Sequence, residues 1–135
     1  MKILGIDHIG IAVKNINQSM DFYRRGLGLE LGGIEEIPDR DLKAGFIDVG
    51  ATKIELIEST SDNSAIGKYI AKKGEGIHHI CLLVDNIAKA LEHFKSEGFE
   101  LIDSQPRGGA EGSKIAFIHP KAAGGVLIEL KQLFK

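Results

Sequence analysis

The sequence predicts an α+β protein built from two tandem βαβββ modules, and three observations support this prediction. The pattern H-I-x-x-x-V-x-N-I occurs twice, beginning at His8 and at His79, which lie 71 positions apart. The same spacing links Phe46-Ile47 to Phe117-Ile118. Each copy of the pattern is an apolar run followed by residues with helical periodicity. Solenoid repeats recur every ~20–50 residues, so two longer copies indicate a duplicated supersecondary module.

The first strand of each module is predicted at about residues 4–14 and 77–85. Successive side chains of a strand point to opposite faces, so each histidine lies opposite a set of apolar residues. In the first copy, one face has Ile9, Ile11 and Val13 and the other has His8, Gly10 and Ala12. In the second copy, one face has Ile80, Leu82 and Val84 and the other has His79, Cys81 and Leu83.

A helix is predicted after each of these strands because apolar residues recur every three or four positions. The stripes are Ile16, Met20, Tyr23 and Leu27 in the first copy, and Ile87, Leu91 and Phe94 in the second. Gly26 and Gly98 are predicted to end these helices, since glycine adopts positive φ without steric cost.

Three further strands are predicted to complete each module. They span about 29–35, 43–49 and 52–59 in the first copy, and about 99–104, 113–119 and 125–132 in the second. Near the end of the modules the spacing rises from 71 to 74, which predicts a longer loop in the second copy. The whole chain, 1–135, is thus one predicted domain with module 1 at about 1–60, a linker helix at about 61–74 and module 2 at about 75–135.

Composition excludes several classes of protein. A chain of 135 residues is long enough for one domain with a core, and its single cysteine excludes an internal disulfide. The net charge of −2 favours neither nucleic acid nor a membrane surface. No apolar run approaches the ~18 residues of a membrane span, and the apolar part of "MKILGIDH" is too short for a signal peptide. A cytoplasmic protein is expected.

The alternation of side chains places four polar residues away from the helices. They form two equivalent pairs, His8 with Glu55 and His79 with Glu129. If a pseudo-two-fold axis relates the modules, the pairs can converge, and two imidazoles with two carboxylates form a divalent metal site. Four protein ligands leave positions open for a substrate, as in catalytic sites. Strand glutamates are more often simply solvent-facing, and that alternative stays open.

Four segments also carry a family resemblance: "DHIGIAVKNI", "TKIELIE", "GEGIHHICLLVDNI" and "KIAFIHPKAAGGVLIEL". They resemble the vicinal oxygen chelate (glyoxalase/bleomycin resistance/dioxygenase) superfamily, and within it the methylmalonyl-CoA epimerase family most closely. The resemblance implies an open barrel-like sheet with an internal cleft. It also implies that His8, Glu55, His79 and Glu129 are metal ligands. Ala44 stands where some epimerases have an additional glutamate.

The function that the resemblance implies is inversion of the α-carbon of methylmalonyl-CoA through a metal-stabilised enolate. The expected cofactor is a divalent ion: cobalt, zinc, nickel, manganese or magnesium. Glu129 is the first candidate acid/base and Glu55 the second. The expected partners are an acyl-CoA substrate and a second copy of the chain in a homodimer. Four residues are candidates for contacting the substrate: Arg107, Lys114, His119 and Lys121.

Two other functions are compatible with the same fold. A glyoxalase I-type lactoylglutathione lyase would use the same four ligands, although the segments "HPKAAGGVLIEL" and "GIHHI" favour the epimerase. A drug-sequestering protein would bind its ligand without metal in a cleft lined by aromatic residues. The chain has no Trp, two Tyr and six Phe, which is little material for such a cleft.

Overall fold

The computed structural model describes residues 1–134, except for the side chain of Glu111. The chain divides into two compact units. The N-terminal unit comprises residues 8–78, and the C-terminal unit comprises residues 1–7 with the chain from His79 onward. The linker helix therefore belongs to the N-terminal unit.

Both units contain the predicted βαβββ order. Short 3₁₀ turns occur at Pro38–Arg40, Ala110–Gly112 and Pro120–Ala123. The strands and helices are β1 (Ile3–Val13), α1 (Ile16–Asp21, continued by a π-helical turn at Phe22–Gly26), β2 (Leu31–Ile37), β3 (Leu42–Val49), β4 (Thr52–Ser59), α2 (Ala65–Lys73), β5 (Gly76–Val84), α3 (Ile87–Ser96), β6 (Arg107–Gly108), β7 (Lys114–Ile118) and β8 (Ile128–Gln132).

The strands of the N-terminal unit follow the order β2-β3-β4-β1, and β1 is parallel to β4. Helix α1 packs on one face of this sheet, as the alternation predicted. The buried core on that face consists of Val13, Ile16, Met20, Ile47 and Leu56. Helix α2 packs on the opposite face, where Ile66 contacts Ala12 and Ile57.

The strands of the C-terminal unit follow the order β5-β8-β7-β6, with β5 parallel to β8. Helix α3 covers one face of this sheet. The buried residues between them are Val84, Ile87, Ala90, Leu91, Ala116, Ile118 and Leu130. The start of β1 is held to this unit because the Lys2 N–H donates to Asp85 Oδ1 at 2.7 Å. That hydrogen bond holds the pKa of Asp85 below its usual range.

The predicted bounds are wrong in two places, and the reason given for a third bound is wrong. Residues 99–104 do not form a strand, and only Leu101 bridges to Ile118. Strand β8 begins at Ile128 and not at 125, because Gly124 and Gly125 have φ of 67° and 98°, outside the extended region. The first helix ends at Gly26, as predicted, but the residue with positive φ is Gly28, at 70°.

The starts of α1 and α3 are built alike. Asn15 and Asn86 are the N-caps, and their side chains accept hydrogen bonds from the Gln18 and Lys89 N–H groups. The first N–H group of each helix donates to a second side chain, which lies on the last strand of the same module. The Ile16 N–H donates to Glu58 on β4 and the Ile87 N–H donates to Gln132 on β8, both at 2.8 Å. Each helix is therefore tied at its first turn to the last strand of its own module.

Replacing Asn86 with alanine is expected to lower the free energy of unfolding by about 1 kcal/mol, because the Lys89 N–H loses its acceptor. Urea denaturation followed by circular dichroism measures the change. Lys89→Ala is the matched control, since its side chain is exposed on the same helix. A loss of the same size in both variants would contradict the role of the cap.

Within residues 1–134, no helix has the length and apolar character needed to cross a membrane.

Candidate functional site

In the N-terminal unit, His8 and Glu55 lie together on the sheet face opposite α1. His8 Nε2 is 3.2 Å from Glu55 Oε1. The imidazole is almost fully buried, at 3% exposure, and packs edge-on against Phe46 with ring centroids 5.6 Å apart. Phe46 is the cross-strand partner of Glu55. The strand pairing therefore places all three side chains on one face.

The C-terminal unit repeats this arrangement. His79 Nε2 is 3.0 Å from Glu129 Oε1, and both residues are buried. Phe117 packs edge-on against His79 at 5.8 Å and is the cross-strand partner of Glu129. The sequence repeat therefore corresponds to a repeat of three-dimensional contacts: an imidazole, a carboxylate and a phenyl ring in each unit.

The donor atoms of both pairs suit a divalent ion. A neutral imidazole nitrogen and a carboxylate oxygen are ligands for zinc, cobalt and nickel, and carboxylates also accept manganese and magnesium. A buried carboxylate requires a compensating partner. In each unit the histidine nitrogen lies 3.0–3.2 Å from the carboxylate oxygen, so the two kinds of donor atom are close together. The chemistry of the donors therefore fits the ion that the sequence predicted.

Of the predicted substrate residues, Arg107 lies on the same face as His79. Its guanidinium is 5.6 Å from the centre of the Phe117 ring, within the range of a cation–π contact. Its Nε is 3.5 Å from Asp103 Oδ2, and this carboxylate also accepts from the Phe117 N–H at 2.8 Å. Asp103 thus contacts both the guanidinium of Arg107 and the backbone of Phe117, whose ring packs on His79.

The other three predicted substrate residues occupy different surroundings. Lys114 alternates with Ala116 and Ile118, so it belongs to the α3 side of the sheet, away from His79. His119 accepts from the Lys121 N–H through Nδ1, at 3.1 Å, and its Nε2 is 3.6 Å from Glu100. Lys121 is exposed in the turn that follows. The structure therefore groups only Arg107 with the histidine and glutamate of its unit.

A buried ion pair distinguishes the C-terminal unit from its counterpart. Lys131, at the position equivalent to Ile57, is 6% exposed, and its Nζ is 3.2 Å from Asp7 Oδ2. Ile57 packs against α2, whereas the described residues contain no helix after β8. In the C-terminal unit the position equivalent to Ile57 is therefore occupied by Lys131, whose charge is compensated by Asp7. Cys81 is fully buried on this side.

Sequence reasoning missed several residues around the two pairs. Lys53 Nζ lies over the Phe46 ring at 5.8 Å, and no repeat position predicted it. Asp103, Glu58 and Gln132 were also missed. Glu58 and Gln132 are 74 positions apart, like Glu55 and Glu129, so the repeat spacing could have predicted that they are equivalent. One side chain is charged and the other is not, and for this reason their shared role as hydrogen-bond acceptors was missed. Ala44 is buried on β3, next to Ile57.

Comparison with known proteins gives consistent results at the levels of family, sequence and structure. Residues 7–117 match the family described as Glyoxalase/Bleomycin resistance protein/Dioxygenase superfamily. Uncharacterized protein YqjC of Bacillus subtilis is 40% identical over 125 residues, covering 93% of this chain and 89% of that one. Ethylmalonyl-CoA/methylmalonyl-CoA epimerase of Cereibacter sphaeroides is 36% identical over 130 residues, covering 95% and 97%.

The fold is also that of a solved epimerase. The structure of methylmalonyl-CoA epimerase in complex with methylmalonyl-CoA and NH4+ matches with a TM-score of 0.91 at 34% identity, covering 97% of this chain and 95% of that one. The predicted α+β class, with its glyoxalase-like fold, is thereby confirmed. The matched family, the relatives and this structural similarity establish that the chain belongs to the Glyoxalase/Bleomycin resistance protein/Dioxygenase superfamily, within which it is similar to methylmalonyl-CoA epimerases.

Proposed function

We propose that the protein is a metal-dependent epimerase that inverts the α-carbon of methylmalonyl-CoA. The observation that carries the proposal is the repeated histidine–glutamate contact, at 3.2 Å in one unit and 3.0 Å in the other. The similarity to methylmalonyl-CoA epimerases supports the choice of substrate. The proposal goes beyond family membership, because members of one fold family catalyse different reactions.

His8, Glu55, His79 and Glu129 are proposed to hold one divalent ion. When bound, the ion supplies a Lewis acid that stabilises negative charge on the thioester oxygen after the α-proton leaves. The two imidazoles bind as neutral ligands. Phe46 and Phe117 pack edge-on against them and limit the orientations that each ring can adopt.

The two glutamates are proposed to move the protons. Inversion requires that one group remove the α-proton from one face of the substrate and that another group return a proton to the opposite face. Glu129 is the first candidate and Glu55 the second, because they are equivalent carboxylates in the two units. Glu129 is 6% exposed and its Oε1 lies 3.0 Å from His79 Nε2, so the carboxylate is held in position, as an acid/base must be.

The phosphates of coenzyme A require cations. Arg107 is the first candidate among the four predicted residues, because its guanidinium is on the face that carries His79 and Glu129. A guanidinium suits phosphate, since it presents several N–H donors in one plane. Lys121 and His119 remain candidates in the turn after β7. Lys114 is the least favoured, because its neighbours in β7 face α3.

The test is exchange of the α-hydrogen of methylmalonyl-CoA with deuterated water, followed by NMR. The wild-type protein is expected to catalyse exchange, to lose it after treatment with a chelator, and to regain it with cobalt or zinc. Elemental analysis should find one ion per chain in the wild type and a strongly reduced content in His79→Ala. His93→Ala is the matched control, because His93 is exposed on α3.

Three outcomes would contradict the proposal. No exchange, together with turnover of the thiol adduct of methylglyoxal, would indicate a lactoylglutathione lyase. Ligand binding that is equally tight with and without metal would indicate a sequestering protein. A metal content that His79→Ala leaves unchanged would exclude the proposed ligand set.

A further inference from the structure

Lys53 occupies a distinctive place in the N-terminal unit. It is paired with His8 in the register of β1 and β4, and it lies two residues before Glu55. Because alternate residues of a strand share a face, Lys53 lies on the face of His8 and Glu55. Its ammonium group is over the Phe46 ring, the same ring that packs edge-on against His8.

Among the side chains that the structure describes, this lysine is the only partly buried one without a carboxylate partner. Three of the described lysines are not exposed: Lys43, Lys53 and Lys131. Lys43 is 3.5 Å from Glu58, and Lys131 is 3.2 Å from Asp7. Lys53 makes no ion pair within 4.0 Å with any described carboxylate, even though Asp48 is its cross-strand partner on β3.

An ammonium group that has lost part of its hydration, and that has only an aromatic ring beside it, is a favourable site for an anion. The proposed substrate carries an anion close to its reacting carbon, namely the free carboxylate of the methylmalonyl group. Acyl thioesters such as propionyl-CoA lack this carboxylate. A cation adjacent to Glu55 and His8 could therefore distinguish the two classes of thioester.

We infer that Lys53 is a specificity-determining residue that binds the free carboxylate of a 2-carboxyacyl thioester. The inference rests on the proposed function and adds a residue and a chemical criterion to it. Lysine suits this role as a compact point charge on a flexible stem. The ammonium group lies 5.8 Å from the centre of the Phe46 ring, so the charge is beside the ring that also packs against His8.

The test compares the binding of malonyl-CoA, which has the carboxylate, with that of propionyl-CoA, which does not. Lys53→Met keeps the unbranched stem and removes the charge. Isothermal titration calorimetry should show that this change raises the Kd of malonyl-CoA about 10- to 100-fold, the loss expected for a hydrogen bond to a charged group. The Kd of propionyl-CoA should change less than about 2-fold, and Lys53→Arg should retain most of the preference.

The matched control is Lys43→Met, which removes a partly buried ammonium group from the opposite face of the same sheet and should leave both Kd values unchanged. A melting curve for each variant checks that the fold is retained. If the wild type exchanges the α-hydrogen but Lys53→Met alters both Kd values equally, or neither, the role of Lys53 is wrong. If the wild type neither catalyses exchange nor binds either thioester, the proposed function itself is wrong.

Discussion

Replacing Glu129 with glutamine is expected to lower the rate of α-hydrogen exchange of one epimer of methylmalonyl-CoA about 10²- to 10⁴-fold, the usual contribution of a positioned acid/base. Glutamine has nearly the same shape, and it keeps an oxygen where the carboxylate oxygen lies 3.0 Å from His79 Nε2 in the wild type. The fold should therefore remain intact while the basic group is lost. The measurement is the rate of deuterium incorporation into methylmalonyl-CoA at saturating substrate.

Glu55→Gln provides the internal comparison for this experiment. If the two glutamates serve opposite faces of the substrate, Glu129→Gln and Glu55→Gln should each abolish inversion, and each should retain exchange of the epimer whose α-hydrogen faces the remaining glutamate. Glu92→Gln is the surface control, since Glu92 is exposed on α3. A Glu129→Gln protein that keeps both its metal and its full rate would show that another residue moves the proton.

Replacing Leu130 with alanine is expected to lower the free energy of unfolding by about 2–5 kcal/mol, the range for truncating a buried leucine. Leu130 is 0% exposed and belongs to the core between α3 and its sheet. It follows Glu129 in β8, so its side chain packs on α3 while the carboxylate points to the other face. The loss should therefore appear in stability, measured by urea denaturation.

Leu133→Ala is the control for this substitution, because Leu133 is 49% exposed. It should change the free energy of unfolding by less than about 0.5 kcal/mol. Equal losses in both variants would show that the core does not depend on Leu130.

Much of the fold could be predicted from the sequence because it depends on local periodicity. The period of two in β1 and β5 separates His8 and His79 from their apolar neighbours, and the cores of both units confirm that separation. The repeat extended the prediction to Glu55 and Glu129, and the structure places each glutamate beside its histidine. The prediction of a strand was wrong at residues 99–104, where the local pattern is weak and only Leu101 forms a bridge.

The sequence by itself determined which residues share a face, because the alternation of a strand and the spacing of a duplication are properties of the chain. Only the tertiary structure decided which charges are compensated, because a counterion must lie within a few ångströms in the folded chain, whatever its separation in sequence. Lys131 forms an ion pair with Asp7, which lies 124 positions away. Arg107 forms one with Asp103, beside the Phe117 ring. Lys53 has a phenyl ring beside it in place of a carboxylate. No spacing rule distinguishes these three cations, since each depends on what the folded chain places within a few ångströms of it.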